Sequence, residues 1–178
     1  MARTWLSIRV ERISGQGGWP RPVRVFAASP AHSFAQLGEA IDQDFARWDL
    51  SHLHLFTLSD GTGVSLLEWW DGWAPDGTID GRATKLGRLQ GGAQFAYAFD
   101  MREQWAHLCT VGAQRVDPKT ELGVVPDRPL PYWGWGSLPD QYGRRWDGDD
   151  GESAVPKRPR GLSDLPPILP WWGERQLR

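Results

Sequence analysis

Ser33 and Gln36 stand three residues apart at the start of a segment that places Phe34, Leu37, Ile41 and Phe45 at spacings of three, four and four. A serine hydroxyl there accepts the amide hydrogen of the third helical residue, and the glutamine side chain reaches back to the serine amide, so two orphaned donors are satisfied together. Gln36, Glu39, Gln43 and Asp44 occupy the remaining turns, leaving one apolar stripe. The spacing predicts a helix over 34–46. A lone amphipathic helix cannot bury its stripe, so it must pack on a second layer.

The flanking segments supply that layer. Residues 5–13 alternate Leu6, Ile8 and Val10 with Ser7, Arg9 and Glu11, and residues 23–28 alternate Val23, Val25 and Ala27 with Arg24 and Phe26. Period two marks strands, and the Gly- and Pro-rich stretch between them predicts a hairpin. After the helix, Leu53, Leu55 and Thr57 alternate with His52, His54, Phe56 and Leu58 before an Asp-Gly turn, giving a third strand. The resulting ββαβ unit puts the helix on one face of the sheet. The expectation is that Leu53 and Leu55 meet Phe34, Leu37 and Ile41, and that His52 and His54 look the other way.

A second hairpin is predicted over 95–111. Phe95, Tyr97 and Phe99 lead into a charged tip, Asp100-Met101-Arg102-Glu103, and Trp105 and His107 lead out. Residues 59–83 read as a long Gly/Asp/Trp excursion and 130–143 as an irregular Trp/Gly/Pro segment. From Asp147 an acidic run, the basic run 157–160 and a Pro-rich stretch follow, which predicts a tail with little order whose "PPILPWW" could dock on the body. With 178 residues the expectation is one α+β domain, 1–146, with a mixed sheet, followed by an irregular Pro/Trp-rich tail, 147–178.

Charge narrows the function. Lys and Arg total 20 against 22 Asp and Glu, so the net charge of −2 gives no bulk attraction to nucleic acid or an anionic membrane. Cys109 is the only cysteine, which removes intrachain disulfides and multi-cysteine metal clusters and suits a reducing compartment. No apolar run long enough for a signal peptide or a membrane span is present, so the expected location is cytoplasmic.

The residues that could carry chemistry are few. His52 and His54, two apart on a strand, would project from one face about 6–7 Å apart. With His107 and either Asp100 or Glu103 they form a set that zinc or another divalent ion accepts, although each histidine also has an ordinary place as a hydrogen-bonded interior residue. Glu103 and His107 could pair as an acid/base dyad, and Asp100 could equally anchor the hairpin tip by accepting backbone amides. "DGTIDG", residues 76–81, begins like a calcium loop but has Gly87 at the twelfth position, so Asp-Gly turns account for it. No organic cofactor is expected. Twelve Trp residues are present, and Trp70, Trp73, Trp105, Trp133 and Trp135 with Tyr142 offer flat amphipathic area of the kind that binds a protein or small-molecule partner.

The order of motifs resembles the Ri-plasmid open-reading-frame-three-like family, also described as transposable-element passenger proteins of TnpR type. The matching positions are Pro22 to Arg24; Phe34, Leu37 and Ile41; Trp48, His52, Leu53, His54 and Phe56; and Tyr97, Phe99, Asp100, Trp105 and His107. They span roughly residues 5–111, with a weaker continuation to Tyr142. Met101-Arg102-Glu103 replaces the family's Phe-Gly-Asp tip, so the turn must form without glycine; the segment "PYWGWGSLPDQYG" lacks the family's cysteine, and a Pro-rich tail stands where a terminal helix is customary. The resemblance implies a compact α+β domain of mobile-element origin and no established activity. The function expected is an accessory binding protein working through its Trp-rich segments. A metal-dependent hydrolase using the His/Asp cluster is the alternative, and a DNA-binding or recombination-associated role the third, disfavoured by charge and by the lack of a helix-turn-helix pattern.

Overall fold

The computed structural model describes residues 3–14, 21–138 and 140–162. Its strands form one eight-stranded mixed sheet carrying two helices, an α+β fold dominated by strands. β1 (Leu6–Arg12) and β2 (Val23–Ala28) pair as the expected antiparallel hairpin. α1 (Phe34–Asp44) opens with the capping box: Ser33 Oγ accepts from the Gln36 amide at 3.1 Å and Gln36 Oε1 accepts from the Ser33 amide at 2.9 Å. Phe34, Leu37, Ile41 and Phe45 are completely buried.

β3 (His54–Thr57) lies beside β6 (Gln94–Phe99), and β7 (Trp105–Val111) joins β6 to β1. The second hairpin is therefore inserted in mid-sheet, and α1 crosses it to carry the chain from β2 to β3. The 59–83 excursion contributes β4 (Gly63–Ser65), a 3-10 turn at Leu67–Trp70 and β5 (Ile79–Asp80), whose parallel pairing with β4 makes the sheet mixed. Two further elements carry little periodic signal. α2 (Pro118–Leu122) begins at an Asp117 N-cap followed by Pro118, a start signal short enough to pass for a turn. β8 (Leu130–Trp135) makes an edge strand of the Trp/Gly/Pro segment. Its Gly134 is required by close approach, since a Cβ there would fall 2.4 Å from the Val23 carbonyl oxygen.

One expectation is reversed. The β3 face that meets α1 carries His54 and Phe56, not Leu55: Phe56 is completely buried, edge-on to Phe34 at 5.3 Å and tilted against Tyr97 at 4.5 Å, while Leu55 is only half-buried. Both faces of this short strand carry apolar side chains, so alternation alone could not choose; the larger aromatic surface of Phe56 fits the gap under α1. The core continues through Leu6, Ile8, Val10, Phe26, Phe95, Tyr97 and Phe99.

No helix among the described residues is long and apolar enough to cross a membrane. Residues 147–162 form bends and turns; Asp149 pairs with Arg145 at 2.8 Å, and within the segment the Asp147 amide donates to the Arg160 carbonyl at 2.9 Å. The expected docking of the 166–172 stretch, with Trp171 and Trp172, lies outside the described residues.

Candidate functional site

Three sequence-distant segments converge at the end of the sheet where β6 turns into β7. Tyr142 donates its hydroxyl to Asp49 Oδ2 at 2.7 Å and lies 2.7 Å from His52 Nε2, which is itself 3.1 Å from Asp49 Oδ2. On its other side, His52 Nδ1 is 3.4 Å from Asp100 Oδ2. Ser51 donates to Asp49 Oδ1 from both amide and hydroxyl, and these bonds, with that from Tyr142, hold the carboxylate well below its ordinary pKa. The Tyr142 phenol is pushed up to about 12, by burial first and by its bond to Asp49. Gln141 clasps the same loop, accepting from the Trp48 and Asp49 amides at 2.9 and 3.0 Å and donating to the Asp49 carbonyl at 3.1 Å. Trp48 Nε1 donates to Asp140 Oδ1, which also holds Arg144. Of these residues the sequence singled out His52, Asp100 and Tyr142. It missed Asp49, Asp140 and Gln141, because carboxylates and amides in a polar loop carry no periodic signal.

Asp100 is the turn anchor its position suggested. Its Oδ1 accepts from the Arg102 amide at 3.0 Å and the Glu103 amide at 3.4 Å, and its amide donates to the Leu53 carbonyl. The left-handed backbone that a missing glycine would have supplied is taken by Asp100 itself (φ 61°) and by Gln104 (φ 51°), not by Arg102. Asp tolerates this conformation better than most side chains.

The three histidines do not converge. His52 sits in the loop network just described, His54 lies against Tyr97 and Phe56 under α1, and His107 is buried in β7 against Phe45 at 4.8 Å. His107 Nδ1 donates to the Tyr97 carbonyl at 3.1 Å, while Glu103 is exposed at the hairpin tip, so the expected Glu103–His107 dyad is not formed. No group of three His, Cys, Asp or Glu side chains placed to hold a metal ion occurs among the described residues. His52 lies ahead of β3, in the loop, and the Tyr97 ring packs against each of the other two, 5.9 Å from His54 and 5.6 Å from His107.

The aromatic surface also divides. Trp70 is anchored by donating to Ser65 Oγ at 2.9 Å, and Trp73 beside it is 85% exposed, both at the β4–β5 edge. Trp133 and Trp135, 5.1 Å apart and opposite Val25 and Val23, occupy the β8 edge at the far end of the strand order. Trp105 is interior, and Tyr142 belongs to the loop network. The six residues thus form separate patches.

A concavity lies between α1 and the chain leaving β4. It is a cleft of about 430 Å³ lined by Gln36, Glu39, Asp42, Leu50, His54, Leu66, Trp69 and Arg82 among others. A half-exposed Trp69 and the two leucines form apolar walls, and Arg82, ion-paired to Glu68, stands at the rim. Asp42 at the inner end is buried and accepts the Tyr97 hydroxyl at 2.7 Å. Burial pushes its carboxyl up to about 8 against the opposing pull of the Tyr97 bond and Arg47. Burial likewise pushes His54 down to about 4. Both groups are therefore uncharged near neutral pH. Asp42 was not singled out from the sequence; the signal it offered is an acidic residue one turn beyond Gly38 and next to Ile41 of the apolar stripe, where a buried acid is the informative exception.

A structure of a protein of unknown function from Methanosarcina mazei Go1, MM3350, resembles this one with a TM-score of 0.56 over 77% of this chain and 72% of that chain, at 16% identity. At that identity the likeness concerns the fold alone. Neither a protein-family model nor a curated protein matches the chain.

Proposed function

We propose that the protein is a non-catalytic binding module whose cleft beside α1 takes a small organic ligand with a flat apolar body and a hydrogen-bond acceptor at its inner end. One observation carries the reading: a cleft of about 430 Å³, in the size range of small-molecule sites, is lined by Trp69 together with two neutral polar groups, the buried Asp42 and the half-buried His54. A ligand body packs on Trp69, Leu50 and Leu66. The protonated Asp42 carboxyl, one oxygen already engaged by Tyr97, offers its hydrogen to the acceptor. The recognition ring is thereby Trp69, which is not among the six aromatic side chains the sequence offered. An accessory role on a plasmid or mobile element accompanies the Ri-plasmid family resemblance and fits a module that binds without reacting. The hydrolase alternative needs a converging metal set, and the histidines are dispersed; the DNA-binding alternative gains no support from the net charge.

The test is ligand-observed NMR screening of neutral aromatic fragments against the wild-type chain and Trp69→Ala. Saturable fragment binding that weakens at least tenfold in the variant, with an unchanged far-UV spectrum, is expected. Fragments that bind Trp69→Ala as well as wild type, or none that bind the wild type, refute the proposal.

A further inference from the structure

Past Asp42, where α1 ends and β1 gives way to its loop, two arginines share one indole. Arg47 places its guanidinium carbon 4.0 Å from the Trp105 ring centroid and Arg12 places its own at 5.4 Å. Both side chains belong to residues only 4% exposed. Stacking uses the face of a guanidinium; its N–H bonds lie in the plane and still need acceptors. Arg47 spends one on the Phe45 carbonyl at 2.8 Å. Arg12 Nε and Nη1, Arg47 Nε and Nη2, and Trp105 Nε1 are buried without a hydrogen-bond partner among the described residues. Neither arginine has a carboxylate within ion-pair distance among those residues, and the acid whose charge bears most on Arg47, Asp42, is held neutral near pH 7. Two neighbouring cations and five orphaned donors in one interior volume are unfavourable unless an anion completes them.

His107 refines the choice of anion. It faces Arg12 across the β1–β7 ladder and lies within the field of both arginines. Its Nδ1 donates to the Tyr97 carbonyl, so in the neutral ring Nε2 is a bare acceptor, and that atom is buried without a partner among the described residues. An oxyanion that also carries a hydroxyl offers each of these groups its complement. Its charged oxygens accept from the guanidiniums and the indole, and its hydroxyl donates to His107.

We propose that Arg12, Arg47, Trp105 and His107 form an internal site for a hydrogen phosphate group. It is a site separate from the α1 cleft and does not depend on it. Inorganic phosphate and the monoanion of a phosphomonoester share this chemistry; acetate and sulfate at neutral pH lack the hydroxyl.

Isothermal titration of the full chain at pH 7 and constant ionic strength tests this with inorganic phosphate, glycerol phosphate, sulfate, acetate and chloride. Saturable one-to-one binding of phosphate or of glycerol phosphate is expected, with sulfate and acetate at least tenfold weaker and chloride silent. The tighter of the first two distinguishes a free ion from an ester as the natural source. Arg12→Gln and Arg47→Gln should each weaken phosphate at least tenfold. Absence of saturable phosphate and glycerol phosphate binding to the wild type overturns the proposal even if the variants fail to fold. So does sulfate binding as tightly as phosphate, or undiminished affinity in folded variants.

Discussion

An Asp42→Asn substitution isolates a single buried proton. In the folded chain the Asp42 carboxyl titrates at about 8, against 3.8 in its ordinary state, chiefly because burial disfavours the carboxylate. Between those values the folded protein holds a proton that the unfolded chain releases, so stability falls as pH rises through the window. The shift spans roughly four units at about 1.4 kcal/mol each, an upper limit on the order of 6 kcal/mol. The amide keeps the shape and neutrality of the protonated acid and can still accept from Tyr97, but it has no proton to lose. His54 and His107, held low by burial, act in the opposite sense, favouring folding less as the medium becomes acidic, and both proteins retain them. Their contributions cancel in the difference between the two. Urea unfolding at steps between about pH 5 and pH 8 should therefore show the Asp42→Asn variant gaining on wild type by about 1.4 kcal/mol per pH unit, levelling above the folded pKa. Parallel stability curves would refute the assignment of Asp42 as a neutral acid, and with it the donor role in the cleft.

Three further perturbations probe other parts of the molecule. Gly134→Ala should destabilise the fold by about 1–3 kcal/mol, because its Cβ meets the Val23 carbonyl and neither β2 nor β8 can retreat freely; a neutral result in chemical denaturation counts against the close β2–β8 approach. Ser33→Ala should cost about 1 kcal/mol by removing the acceptor for the Gln36 amide, and Ser33→Gly only a few tenths, as read from urea midpoints. Because His107 titrates at about 3 when folded against 6.5 ordinarily, its contribution is complete above the ordinary value and is lost as pH falls toward 3; NMR titration should find its ring neutral at pH 5, and a protonated ring there contradicts the buried, singly bonded geometry.

What the sequence disclosed and what it withheld separate at β3. The capping box, the apolar spacing of α1, the first hairpin and the 95–111 hairpin each rest on signals with one physical reading, and each stands in the structure. β3 offered two: Leu53 and Leu55 on one face, His54 and Phe56 on the other, both apolar enough to bury. A strand's side chains change face together, so choosing wrongly at Phe56 misplaces His54 as well. The choice depends on Phe34 and Tyr97, which flank Phe56 in space but not in sequence. β8 was hidden for a related reason: Gly134 and Pro131 look like breakers until β2 lies alongside, when the glycine admits Arg24 and Val23 and the proline takes a place at a bulged edge. The metal set was lost by a different step: His52 falls in the loop before β3, where it joins Asp49 and Tyr142 rather than His54. The strand then turns His54 to the α1 face, and the floor of the cleft acquires beside Asp42 the second neutral polar group that the proposed recognition uses.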